Sequence, residues 1–421
     1  MMKKILCLFL CAVMVLPILT GCNLFQKGLK VGYGRADVTP TDKVWLGGLG
    51  DMGGQRITSE VWDPLYVTCT AFTDDNENTV LLYHMDILNT YDVVYKWIPN
   101  ISEATGVPED NIILSATHNH SAPNMEVIKT DYTNEYKVLF LQALINSAKD
   151  ALEDRAVAEM YITSCNPENM TFVRHYRRKD GSVHGWGGNA DEAAAGLYTG
   201  HAAEADNDFQ MIKFVRKGKK DVLLVNWQGH PRAHGESVSA IQSDVDVLRK
   251  RLEADMDCLF AFFLGGSGNQ NNSSVIPAEQ RSSNYKEHYN ILADEALEAA
   301  KNFTKVQTGN VKVIKETSLQ ARTNGKSSTI PMTVFSIGDV AFLSAGYEMF
   351  GTSAMELKEY SSFKMTFIVT CSNGDFKYMP TLATYKFEGA YETSSATLHV
   401  KGTAEKLVEK YKTMLDQLAA E

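Results

Sequence analysis

The sequence predicts an α/β fold of mixed β-sheets with flanking helices, and three observations carry that expectation. Short apolar or alternating runs recur along the chain, amphipathic segments of helical period lie between them, and 44% of the residues are hydrophobic, enough for a substantial core. No Pro/Gly/Ser-rich linker marks a boundary, so residues 31–421 are expected to form one domain with a compound core, behind a short tether over 22–30.

The strands are read from runs of three to seven residues rich in β-branched, aromatic or aliphatic side chains: 67–71, 80–83, 112–114, 158–163, 209–214, 222–226, 258–264, 332–337, 340–344 and 367–370. Helical patterns fill the gaps at 91–105, 134–154, 243–254, 283–303, 353–360 and 403–420. The 134–154 segment is the plainest of them. Tyr136, Leu139, Leu141, Leu144, Ile145, Ala148 and Leu152 keep the apolar stripe that one helix face requires.

The first residues read differently. Lys3 and Lys4 precede an apolar run, Ile5 to Leu19, that is short for a bilayer span and reads as a secretion signal over 1–21. The ending Leu19-Thr-Gly-Cys22 resembles a bacterial lipobox. That resemblance implies cleavage before Cys22, a lipid on its thiol, and an extracytoplasmic protein held at the membrane by acyl chains. Loss of the two lysines takes the formal charge from −10 to −12. An acidic chain without a basic cluster is a poor partner for nucleic acid. Cys69, Cys165, Cys258 and Cys371 are widely spaced and form no Cys-x-x-Cys pair, so they give no zinc-ribbon pattern.

Polar candidates repeatedly follow a strand. His118 and His120, in "SATHNHSAPN" (115–124), come after 112–114, and His230, in "NWQGHPRAHG" (226–235), after 222–226. Ser267 to Asn271 follow 258–264, Glu348 follows 340–344, and Tyr378 follows 367–370. In α/β sheets ligands collect beyond the carboxyl ends of strands, so these loops make a plausible polar site. Residue type alone leaves the roles open: a loop histidine can be a surface group, a metal ligand or a proton carrier. H-E-x-x-H, Walker and G-x-S-x-G motifs are absent.

Six stretches in order, "VGYGRADVTP" (31–40), "SATHNHSAPN", "NWQGHPRAHG", "GGSGNQNN" (265–272), "GYEMFG" (346–351) and "YMPTLATYKFEGAYETSS" (378–395), resemble the catalytic domain of the neutral/alkaline, non-lysosomal ceramidase family. The resemblance spans nearly the whole chain after the signal. It implies a Zn2+ hydrolase over 31–421, with His118, His230, Glu348 and Tyr378 as metal ligands. It places His120 and Tyr391 beside the scissile amide as catalytic groups, and Arg174 (or Arg177) and Asn271 against the substrate. The implied substrate is ceramide-like or another N-acylated small molecule.

Departures from the family pattern qualify the substrate more than the metal. Asn271 stands where ceramidases carry a substrate-contacting serine, the proline of that loop is missing, and Ala122 replaces a glycine. Two other readings stay open at this stage: a non-catalytic surface lipoprotein that binds a lipid or small ligand, and a zinc hydrolase of an ester or a cell-wall amide.

Overall fold

The computed structural model describes residues 27–48, 56–58, 60–126, 132–231, 239–276, 279, 281–282 and 284–420. The expected signal (1–21), Cys22, most of the tether, and residues 232–235 of "NWQGHPRAHG" lie outside them.

The architecture has four layers, helices–sheet–sheet–helices. The larger sheet runs in the order Cys258–Leu264, Asp221–Trp227, Phe209–Arg216, Ala156–Cys165, Lys30–Asp37, Tyr66–Thr73, Thr79–Met85, Ile112–Ala116, with Thr304–Val306 also paired to Ala156–Cys165. The smaller sheet is Val311–Ala321, Ser327–Ile337, Val340–Ala345, Met365–Val369. Both sheets are mixed. In the larger one the outermost pair at each end is parallel and the central pairs are antiparallel.

Alternation along the strands sets the layers. On Thr79–Met85, Leu81, Tyr83 and Met85 face one core while Val80 and Leu82 face the other. The first core packs against helices Tyr132–Glu153, Asp244–Met256 and Tyr285–Ala299 through Tyr136, Phe140, Leu144, Leu248, Leu252 and Leu292. The second lies between the sheets, where Phe72 of the larger meets Phe342 of the smaller with ring centroids 6.3 Å apart. The outer face of the smaller sheet is covered by Gly351–Tyr360 and Thr403–Ala420.

The expected helices and strands are present, and three differences stand out among the longer elements. The helix expected at 91–105 is two, Asp92–Tyr95 and Ile98–Thr105, because Pro99 lacks an N–H and suits a first turn better than a helix interior. The strand Lys30–Asp37 hides behind its glycines. A Cβ on Gly32 would sit 1.8 Å from the Ala151 carbonyl oxygen and one on Gly34 would sit 2.1 Å from that of Ser147, so the covering helix rests directly on this strand. The strand Val311–Ala321 lies at a sheet edge, half-exposed and lysine-rich, and lacks a continuous apolar run.

Two buried side chains knit the layers near their carboxyl ends. Asn226 Nδ2 donates to Phe263 O (2.8 Å) in the larger sheet and to Ile368 O (2.9 Å) in the smaller. Asn373 Oδ1 accepts from Leu114 N (2.8 Å) while its Nδ2 donates to Ile112 O (3.1 Å), covering the edge of Ile112–Ala116 with the chain that leaves Met365–Val369. The four described cysteines are free thiols.

Candidate active site

The loops that leave Ile112–Ala116, Asp221–Trp227, Val340–Ala345 and Met365–Val369 deliver His118 and His120, His230, Glu348, and Tyr378 to one cavity of about 430 Å³. Four of the five loops singled out by the carboxyl-end rule thus bring their named residues to one cavity.

His118 has φ +63°, a left-handed conformation that costs a non-glycine residue about 1–3 kcal/mol. That backbone aims the ring inward. Its Nδ1 lies 2.8 Å from Leu88 O and 3.1 Å from Asn89 Oδ1, so Nδ1 is a donor to both and Nε2 is the atom left for a proton or a cation. Nε2 faces Glu348 Oε2 at 3.3 Å. Both atoms are buried, yet neither has hydrogen-bond geometry to any described group. Burial disfavours protonation of His118, but the charge of Glu348 and the neighbouring Cys371 outweigh it and raise its pKa well above the ordinary value. The pocket between the two side chains thus calls for positive charge.

His230 is buried, with Nδ1 3.4 Å from Ser267 O and Nε2 2.9 Å from Nε2 of His120. The three imidazoles form a compact group, their ligand atoms all within 4.8 Å of one another. His120 is the half-buried member, toward the cavity opening. Its loop is held by Arg56, which donates to Gly48 O (3.0 Å) and His120 O (2.7 Å). Gly48 packs so closely that a Cβ there would meet His120 Nδ1 at 2.4 Å.

Glu348 and Tyr378 are neighbours across a short parallel bridge. The Tyr378 phenol has a pKa well above the ordinary value: burial raises it most, Glu348 adds to the rise, and Arg174 opposes it. Two half-buried or exposed aromatics close the wall. Trp186 and Tyr391 pack with tilted rings, centroids 4.4 Å apart, and Tyr391 meets the Tyr378 ring edge-on at 5.6 Å.

Arg174 lines the cavity as expected, whereas Arg177 points away and donates to Ala202 O. Asn271 is the departure. Its backbone pairs with Phe172 in a two-stranded bridge, its carbonyl accepts from Thr171 Oγ1, and it is not among the cavity-lining residues. The adjacent Asn272 reaches the site instead, donating to His230 O at 3.0 Å. Sequence reasoning also missed Asn89, Trp186, Arg56 and Glu392. Only "YETSS", within a stretch already singled out, carried a signal for any of them.

A metal fits this site on the structure's own terms. Two buried oriented imidazoles, a third beside them, and a carboxylate are the donor set that suits a borderline cation such as zinc. The paired buried atoms Nε2 of His118 and Oε2 of Glu348 lack any other partner among the described residues. Asn89 helps hold the His118 ring, so Asn89→Ala is expected to weaken metal affinity by about 10–100-fold while the fold survives, as titration with a competing chelator will measure. Unchanged affinity would make Leu88 O sufficient alone.

Fold and site together define an α/β protein with a buried histidine–carboxylate centre at the junction of two sheets. Solved structures share this fold. One described as a ceramidase complexed with C2 has a TM-score of 0.73 at 13% identity, covering 93% of this chain and 75% of that one. The neutral ceramidase from Pseudomonas aeruginosa has a TM-score of 0.73 at 14% identity over the same shares. The chain thus has the fold of the neutral ceramidase structures, as its motifs led us to expect. No protein-family model and no curated protein matches the sequence.

Proposed function

We propose that this protein is a zinc-dependent hydrolase that cleaves the amide bond of an N-acylated, lipid-like small molecule. The observation that carries the reading is the group His118, His120, His230 and Glu348, brought together in the cavity of a fold shared with ceramidases.

His118, His230 and Glu348 would hold the metal, with Tyr378 as a weaker fourth donor. The assignment follows orientation, because His118 Nδ1 is pinned to Leu88 O and His230 Nδ1 faces Ser267 O, leaving Nε2 of each directed inward. When bound, zinc supplies a nucleophile near neutral pH and polarises the acyl carbonyl. His120, half-buried and 2.9 Å from His230, is placed to carry a proton to the leaving amine, which must depart protonated. Tyr391 stands over the cavity, with a hydroxyl that can donate to the oxyanion as the carbonyl becomes tetrahedral. Trp186, Leu88 and Leu398 offer apolar surface to an acyl chain.

The test is release of amine from short-chain N-acyl substrates by the purified protein, before and after treatment with a zinc chelator. The expected result is hydrolysis that the chelator abolishes and added Zn2+ restores. Hydrolysis of matched esters with none of the amides would overturn the bond assignment, and chelator-insensitive turnover would overturn the metal.

A further inference from the structure

Behind the cavity-lining Arg174 lies a group of charges that the proposed chemistry does not use. Glu392 is fully buried, 0% exposed, within the turn Tyr391–Thr393. Its Oε1 accepts from Arg174 Nε at 2.6 Å, and its Oε2 lies 3.1 Å from His175 Nε2. Arg174 Nη2 donates to Gly268 O at 2.9 Å, and the backbone N–H of Arg174 donates to Asn269 O at 2.9 Å. The guanidinium also lies 5.4 Å from the ring centroids of both Trp186 and Tyr378. Burial opposes the charge on Glu392, but Arg174 and His175 hold its carboxyl at about 2.

Removing a carboxylate from water costs several kcal/mol, and well-packed apolar residues often fill such a space with equal stability. An ion pair adds direction, which an apolar pair cannot. Here the direction joins three parts of the site. Glu392 fixes Arg174 between Trp186 and Tyr378, and the same turn sets Tyr391 against Trp186 at the cavity mouth. Arg174, with Nε and Nη2 both committed to protein acceptors, is not a free two-pronged clamp for a substrate anion.

We propose that Glu392 is a positioning residue, a buried brace that holds Arg174 between Trp186 and Tyr378, the two rings against which Tyr391 packs. The kinetic part rests on the hydrolase reading above, whereas the spectroscopic part does not. Glu392 touches neither the metal group nor the cavity, so its effect travels through Arg174 and Tyr391. Misplacing a reacting group by an ångström costs on the order of 10²-fold in rate.

The experiment compares wild type with Glu392→Gln, which keeps shape but loses charge, and Glu392→Asp, which keeps charge with shorter reach. Four quantities are measured: zinc content, thermal midpoint, kcat and KM on an N-acyl substrate, and the near-ultraviolet circular dichroism of the Trp186–Tyr391 pair, isolated by difference from Trp186→Phe. Glu392→Gln is expected to retain zinc, lose the pair's signal and fall about 10–100-fold in kcat with a smaller change in KM. Glu392→Asp is expected to recover part of both. A folded Glu392→Gln with wild-type pair signal and kcat would overturn the proposal, as would a lowered thermal midpoint with no other change. If Glu392→Gln does not fold, Glu392→Asp carries the test: a weakened pair signal with lowered kcat at full zinc supports the brace, and wild-type values refute it. Absence of hydrolysis in the wild type would count against the hydrolase alone, because the pair signal still reads the brace.

Discussion

His118→Ala and His230→Ala are each expected to remove zinc and hydrolysis together. Both side chains are buried and aimed by partners on their far nitrogens, so an alanine removes an oriented donor atom from the centre. Losing the metal forfeits several kcal/mol of transition-state stabilisation, so the rate should fall by at least about 10³-fold. His118→Ala also strands Asn89 and the Leu88 carbonyl in a buried position, at about 1–3 kcal/mol of stability. Circular dichroism and metal analysis on the same preparations separate loss of fold from loss of ligand. Zinc at wild-type level in both variants would end the assignment.

His120→Ala separates ligand from proton carrier. The half-buried His120 faces the cavity and approaches His230 closely, so it stands where either role is possible. If it handles the proton, the variant keeps zinc and slows by roughly 10²–10⁴-fold. The loss should be greatest on substrates whose leaving amine is most basic, since those need protonation most, and an anilide or activated ester should be partly spared. We expect this result. Zinc loss as complete as in His118→Ala would mean a three-histidine centre, with Tyr391 as the remaining proton donor.

Much of this arrangement could be read before any coordinates. The strand Cys258–Leu264 and the helix Thr403–Ala420 have the bounds their periodicity predicts, because each is a long run with one burial pattern. Seven of the eight expected site residues line one cavity. The eighth, Asn271, fails for a local reason: the Gln270–Asn271 bridge to Phe172–Val173 fixes its backbone away from the opening, and pairing across a hundred residues leaves no trace in nearby sequence. The same limit hid Arg56, Asn89 and Trp186, whose parts depend on contacts between distant segments. Lys30–Asp37 was legible only as a motif, because its glycines serve helix packing and break the apolar run.

The position of the centre at the junction of two sheets has a consequence for the chain as a whole. His118 and His230 extend from the larger sheet, Glu348 and Tyr378 from the smaller, and the layer between is an apolar interface with Phe72 against Phe342. A slip of one residue along a strand moves a side chain by about 3.3 Å and turns it to the other face. That step is as large as the 3.3 Å separating His118 from Glu348. The cavity therefore works as a gauge of alignment. A chain whose two sheets were docked out of alignment would carry half of the proposed centre on each, so metal binding would report correct assembly of the two layers.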